Sequence, residues 1–278
     1  MHLLSIIVIL IFFTSCASAK QPLTVRSVTY NTHYMESGLS GIIETLKETK
    51  GDVIALQEVL IQGEFPTSAI IAKNLGYQHV ASNPYVKGKE SSWCLSIISR
   101  FPIRNTKEIK LGKSRMALMA EIQIQNRKIF FITLHLTPIS GATPDKNQIK
   151  QRILSRKQEI KELLIFSKLL KEPIVLLGDF NMLRGTFGMW GSNEYSMILD
   201  ERYKDADGGF FPTNHDTFPL PISTKEKIAE KIPMFLIPDA ITLDYTFLSS
   251  GLQRVDSSVI KSKASDHWPL IVEMEISD

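Results

Sequence analysis

The stretch Ile174-Val175-Leu176-Leu177-Gly178-Asp179-Phe180-Asn181 sets the reading of the whole chain. Four aliphatic residues follow Pro173 without polar relief, the pattern of a short strand buried on both faces in an α/β layer. The run breaks at Gly178. A carboxylate and an amide follow two positions apart, so one more step of extended geometry points both the same way off the strand end. Taken alone, Gly178 to Asn181 reads first as a strand-to-turn transition, because Gly, Asp and Asn favour turns for backbone reasons. Companion stretches elsewhere repeat the architecture: an apolar run that ends in a side chain able to bind metal or phosphate.

Working outward, strand and helix patterns alternate without internal repeats or an interdomain linker. Leu23 to Tyr30 reads as a strand ending at Asn31, and Leu39, Ile42, Ile43 and Leu46 share one helical face. Asp52 to Gln57 is a strand ending at Glu58, and Pro66 to Leu75 a helix with Gly76 as its C-cap. Strands follow at Tyr77 to Ala81, Trp93 to Ser99, Ala117 to Ile124 and Lys128 to Leu136, the last ending near His135. Gln148 to Leu170 is a long amphipathic helix whose Arg and Lys residues read as solvated surface, and Glu194 to Leu199 a short one. Residues 207 to 240, rich in Gly, Pro and Phe, read as a long cleft-shaping loop with one helical turn around Lys225 to Ala229. Within it, Pro233-Met234-Phe235-Leu236-Ile237-Pro238 fits an apolar contact surface or a core-packed strand equally well. Ile241 to Leu248, Gln253 to Ile260 and Trp268 to Glu275 close the chain as strands. Strands that succeed one another without helices, mixed with βαβ passages, predict two packed mixed sheets covered by helices.

The first residues read as an export signal. Leu3 to Phe13 is apolar but short for a permanent membrane anchor, and Thr14-Ser15-Cys16-Ala17-Ser18-Ala19 supplies small residues before the polar chain begins at Lys20. Two processing sites compete. Phe13 to Cys16 resembles a lipobox, which would make Cys16 a lipidated membrane tether, whereas Ala17-Ser18-Ala19 suits ordinary cleavage of residues 1–19. The expectation is a cell-envelope lipoprotein or a periplasmic or secreted protein, with 20–278 as one domain. The net charge of +3 permits phosphate-bearing substrates without marking a dedicated nucleic-acid binder. Of the two cysteines, Cys94 sits in an apolar strand and reads as core, so no intramolecular disulfide framework is expected.

The polar residues that end or adjoin apolar runs are Asn31, Glu58, His135, Asp179, Asn181, Asp244 and the pair Asp266-His267. They offer hard oxygen donors suited to Mg²⁺ or Mn²⁺, two imidazoles, and a carboxylate able to orient one of them. Zinc-type Cys/His spacing, a Gly-rich phosphate loop followed by Lys, and Ser or Thr nucleophile motifs are all missing from the sequence. Metal-assisted hydrolysis by water is the chemistry these side chains supply best.

The motifs Thr29-Tyr30-Asn31, Leu56-Gln57-Glu58-Val59, Ile97 to Ile103, Thr133-Leu134-His135, Gly178 to Asn181, Leu243-Asp244-Tyr245 and Ser265-Asp266-His267-Trp268-Pro269-Leu270 resemble, in order, those of the endonuclease/exonuclease/phosphatase superfamily. The resemblance runs from about Thr24 to the C-terminus. It implies a DNase I-like, four-layer α/β sandwich with its site at the strand ends along one edge, and a phosphodiesterase that acts on nucleic acid or on a phospholipid or its head group; the alternatives are a phosphomonoesterase of the same superfamily or a catalytically silent binding protein that retains the fold. Carried over, Glu58 is the main Mg²⁺ ligand, with Asn31 beside it and Asp266 near the metal. Asp179 orients or deprotonates the water, Asn181 holds a phosphoryl oxygen, and His135 donates to the phosphate. Asp244 fixes the His267 tautomer, with the base role open between His267 and Asp179. Arg115 reaches the phosphate or is solvated surface. His33, His79 and His215 match no motif and read as structural. A monomer is expected.

Overall fold

The computed structural model describes residues 23–87, 92–138, 145–171, 173–184, 193–208, 215–231 and 233–277; the leader expected over 1–19, with Cys16, lies outside them. Two mixed sheets pack face to face. One runs, in spatial order, β15 (Leu252–Val259), β16 (Leu270–Ile276), β1 (Leu23–Asn31), β2 (Val53–Gln62), β6 (Ser92–Ser99) and β4 (Gln78–Ala81), with short β3 (Phe65–Pro66) on β2 and β5 (Val86–Lys87) on β6. The other runs β11 (Lys204–Asp205), β14 (Asp244–Leu248), β10 (Ile174–Asp179), β9 (Arg127–His135), β8 (Arg115–Ile124) and β7 (Ile103–Leu111). Each sheet contains one parallel pair among these long strands, β1 with β2 and β9 with β10, and the remaining pairings are antiparallel.

Burial shows why the opening run lacks polar relief. Val175 and Leu177 face the core between the sheets, among Ala55, Leu95, Phe131 and Val272. Ile174 and Leu176 face the other way, under α3 (Lys146–Ser167) and α4 (Glu194–Asp200) with Leu163 and Ile198. A third cluster lies on the outer face of the first sheet, where Ile42 and Leu46 of α1 (Leu39–Thr49) and Ile71 of α2 (Ser68–Leu75) cover Val28 and Ile54. Helix, sheet, sheet, helix is the four-layer sandwich the sequence predicts.

Several expectations need correction. Gly178 does not end the strand: β10 continues through Asp179, and Gly178 pairs with Leu134 and Tyr245. A Cβ there would meet the Leu134 carbonyl oxygen at 2.2 Å, so glycine serves close backbone approach. Likewise β2 does not end at Glu58 but bulges there, its register shifting between Leu56 and Val59, and runs on to Gln62. The edge strand β7 escapes a hydrophobic reading because most of it is exposed and only Ile109 and Leu111 are buried. Two charges of α3 are not solvated: buried Arg156 pairs with buried Glu194 at 3.0 Å, and Glu159 accepts the Thr137 N–H at 2.9 Å. The 207–240 stretch carries more structure than one turn: β12 (Phe218–Pro219) pairs with β13 (Ala240–Ile241) around α5 (Ile222–Ala229). Residues Met234–Leu236 form an exposed 3-10 turn and not a core-packed strand.

Candidate active site

Register alone lines up half of the site. Across the second sheet His135 of β9 sits beside Asp179 of β10, which faces Asp244 of β14. Asn31 ends β1 next to Gln57, and Asp266-His267 precedes β16 on the neighbouring strand of that sheet. Because the sheets pack face to face, these strand ends converge on one edge.

The geometry is that of a connected polar centre. Asp244 Oδ2 lies 2.7 Å from His267 Nδ1, and its backbone N–H donates to Thr217 Oγ1 at 3.0 Å. The other imidazole nitrogen, Nε2, is 3.8 Å from Asp179 Oδ2. Burial by itself would lower the His267 pKa, but Asp244, then Asp179 and Asp266, outweigh it and raise it to about 10. His267 is therefore an imidazolium at neutral pH, its Nε2–H aimed into the site. Asp179 is pushed the other way for a carboxylate: burial raises it to about 7, with His267 and an N–H from Asn31 opposing. Asn31 Nδ2 donates to Asp179 Oδ2 at 3.0 Å, and the Asn181 backbone N–H donates to Asp179 Oδ1 at 2.9 Å. Both oxygens of Asp179 are thus fixed, and its basicity exceeds that of an exposed aspartate.

Glu58 and Asn181 both hold left-handed backbones, φ 52° and 50°, costly for non-glycine residues and common where a site demands a side-chain direction. The bulge turns Glu58 inward, where burial raises its pKa while Asn31 and His267 pull it down. Asp266 is the most open carboxylate of the group, its side chain 42% exposed.

His135 is placed differently from the other histidine. Buried at the end of β9, it lies 3.5 Å from Asp179 through Nε2. Burial, then the charges of Arg115 and His267, lower its pKa well below the usual histidine value, so it is neutral. Tyr85, which the sequence gave no reason to single out, accepts the Glu58 backbone N–H at 3.2 Å and lies 3.0 Å from His135 Nδ1. Burial pushes the phenol well above its ordinary pKa, so it keeps its proton. That proton has Nδ1 as acceptor, which leaves the His135 proton on Nε2, facing the site. Arg115 lies over the Tyr85 ring, 5.9 Å from its centroid.

His33 also belongs here: its N–H donates to Asn31 Oδ1 at 3.0 Å, and its ring is 3.6 Å from Asp266. The signal was available, since it lies two residues beyond Asn31. His215 is held outside the cluster, 2.7 Å from buried Asp207, which Arg184 also grips at 3.1 Å. His79 lies on the edge strand β4, while Cys94 is buried and free.

Asp179, Asp244 and His267 bring ligand atoms within 4.8 Å of one another, a group able in principle to hold a metal. The Asp244–His267 hydrogen bond and the imidazolium charge make that spot unfavourable for a cation. Glu58, Asn31 and Asp266 fit better: four carboxylates meet here, Glu58, Asp179, Asp244 and Asp266, and His267 neutralises one. The surplus of negative charge and the hard oxygen donors match a divalent ion.

Two helix-covered sheets thus carry a carboxylate, amide and imidazole centre at their shared edge. Residues 28–267 match the Endonuclease/Exonuclease/phosphatase family, and the chain belongs to it. Members of this family are hydrolases of phosphate esters and typically depend on a divalent metal. The fold is similar to that of an endonuclease/exonuclease/phosphatase from Beutenbergia cavernae (TM-score 0.66, 17% identity, 91% of this chain and 72% of that one). It is also similar to the human Nocturnin catalytic domain with bound sulfate (0.63, 17%, 92% and 96%) and to Danio rerio TDP2 complexed with single-strand DNA product (0.62, 16%, 90% and 98%). At these identities the likeness is one of fold. No curated protein sequence matches the chain.

Proposed function

We propose that the chain is an exported phosphodiesterase that uses Mg²⁺ and attacks its substrate with water. The observation that carries this reading is the opposed pair Asp179 and His267: a fixed carboxylate of raised basicity 3.8 Å from an imidazolium that Asp244 holds charged. Glu58, Asn31 and Asp266 would hold the cation. A bound divalent ion supplies Lewis-acid polarisation of a phosphoryl oxygen. Asp179 accepts the proton of the attacking water. His267 Nε2–H and His135 Nε2–H donate to the phosphoryl oxygens as negative charge grows on them. Asn181, expected to hold a phosphoryl oxygen, donates its backbone N–H to Asp179 Oδ1 at 2.9 Å and its side-chain amide to the Leu136 carbonyl at 3.4 Å, and so positions Asp179. The phosphorus–oxygen bond to the leaving alcohol breaks, and that oxygen takes a proton from solvent or from His267. Mn²⁺ could replace Mg²⁺ in the same oxygen set, and a phosphomonoester could enter the same centre.

The test is a substrate panel of DNA, RNA, sphingomyelin, phosphoinositides and a chromogenic diester, each with Mg²⁺ and with EDTA. Glu58→Ala and His267→Ala should both abolish the Mg²⁺-dependent rate, and full activity in both variants would sink the assignment.

A lipid or head-group diester is favoured by a separate observation. Ile222 and Phe235, 76% and 84% exposed, project with Leu236 from the α5 arm, which buries none of its own residues. Phe218 joins that arm to the centre, its ring 4.9 Å from His267. With Cys16 lipidated at a cell envelope, the arm would face a membrane, and the chain would work there as a tethered monomer. Salt separates the two substrate classes, since polyanion binding weakens steeply as salt is added.

A further inference from the structure

The segment 215–218 crosses the site edge with little burial to hold it: Thr217 is fully buried, but Asp216 is exposed and His215 and Phe218 are half-buried. Hydrogen bonds hold it instead. The Thr217 N–H donates to the Ile241 carbonyl at 3.0 Å, and the Thr217 carbonyl accepts the Trp268 N–H at 2.7 Å. Its hydroxyl oxygen accepts the N–H groups of Leu243 and Asp244 at 3.1 and 3.0 Å. One buried residue thus ties the start of β14, which carries Asp244, to the residue after His267, across the two sheets. Phe218 then lies against the His267 ring. Upstream, His215 grips one carboxylate twice. Its backbone N–H is 2.8 Å from Asp207 Oδ2 and its ring Nδ1 is 2.7 Å from Asp207 Oδ1, a contact in which the imidazole supplies the proton. Asp207 is itself fully buried and fixed: Arg184 donates to its Oδ2 at 3.1 Å and to its carbonyl at 3.0 Å, and its own N–H donates to Asp205 Oδ1 at 2.9 Å. Arg184 follows Asn181 by three residues, so the clamp is anchored in the segment that leaves Asp179 and Asn181.

We propose that His215 and Thr217 are positioning residues of the hydrolytic centre: the His215–Asp207 clamp seats the 215–218 strap, and Thr217 thereby fixes how Asp244 meets His267. The chemistry it serves rests on the phosphoesterase reading of that centre, whereas the placement is a matter of geometry alone. The Asp244–His267 contact, 2.7 Å through Nδ1, is what aims Nε2 at Asp179. Asp244 Oδ1 has no partner among the described residues, so the carboxylate depends on the backbone beneath it for its direction. Loss of the clamp should cost the fold little, since the His215 side chain is 37% exposed. Small displacements of a catalytic group, in contrast, cost turnover heavily.

The shape of the clamp sets the test. An Asn amide can take the place of Nδ1 and donate as it does, whereas a Gln amide takes the place of Nε2 and leaves Asp207 Oδ1 unmet. Ring ¹H and ¹⁵N signals of His267, identified by their loss in His267→Ala, are recorded at neutral pH on the full chain, and kinetics are run on a substrate from the panel. His215→Ala and His215→Gln should broaden the Nδ1–H resonance of His267 or move it upfield. Both should lower kcat about tenfold with KM unchanged, the scale of a lost supporting contact. His215→Asn should restore resonance and rate together. Thr217→Ser, which keeps the accepting oxygen, should resemble wild type, and Thr217→Val should move the resonance further than any His215 variant. An unmoved His267 resonance in His215→Ala, restoration by Gln and not by Asn, or a loss carried by KM would overturn the assignment. A wild type that hydrolyses nothing in the panel would sink the hydrolytic reading, and the resonance would still decide the clamp.

Discussion

The two walls of the site differ in kind. The wall on the second sheet, His135, Asp179 and Asp244, is buried, register-locked and joined to His267 from the first. The other wall, His33, Glu58 and Asp266, is more open, and His33 and Glu58 stand on left-handed backbone. Burial shifts proton affinities most where water is excluded, and the shifted groups His135, Asp179 and His267 gather at the first wall. The second keeps the more open carboxylate, Asp266, whose side chain is 42% exposed. On the function proposed above, two such walls would separate proton management from ligand capture.

The sharpest way to break this contrast is to empty the buried wall. His267→Ala should lower kcat by about 10³-fold, the scale of a lost general acid or oxyanion donor, with little change in KM; steady-state kinetics on any substrate the panel yields will check it. A comparable rise in KM instead would make the two walls alike.

Next comes the scaffold. Gly178→Ala would press a Cβ to 2.2 Å from the Leu134 carbonyl oxygen, inside a strand paired on both sides by β9 and β14. A loss of roughly 3 kcal/mol or more is expected, read as a lower urea midpoint. An unchanged midpoint would mean that the sheet yields where the register appears fixed.

The pH dependence should also follow the buried wall. His267 has a folded pKa of about 10, above the ordinary histidine value of 6.5. The stability it contributes is therefore fully present below about pH 6.5 and is lost as pH rises toward 10. Urea midpoints of the wild type should fall across that window. Asp244→Asn removes the leading favourable charge, so the fall should flatten, and the alkaline limb of activity should move toward neutral pH. A limb that stays in place would assign it to another group.

The smallest effect concerns the link between the walls. Tyr85→Phe deletes the hydroxyl that accepts from Glu58 and serves His135. A loss of about fivefold to tenfold in kcat is expected, the worth of one hydrogen bond. The His135 ring should also lose its single tautomer by ¹⁵N chemical shift, a change that a purely packing role would not produce.

Much of this was legible along the chain. The apolar run from Ile174 to Leu177 announced a strand buried on both faces, and the polar residues that close such runs meet at one edge of the two sheets. Tyr85 was not legible, because it lies in a short Asn83-Pro84-Tyr85 turn with no apolar run to mark it. Nor was β7, whose exposed edge position relaxes the alternation that marks a half-buried strand.

Sequence by itself determined the layer architecture and the inventory of reactive groups, because periodicity and residue chemistry are local properties. Only the tertiary structure decided which groups share a proton, which way Glu58 turns out of its bulge, and that Gly178 lies within β10. It also decided that His33 stands beside Asn31 and Asp266. Those outcomes depend on distances between strands far apart in the chain, and on the burial that only two packed sheets create.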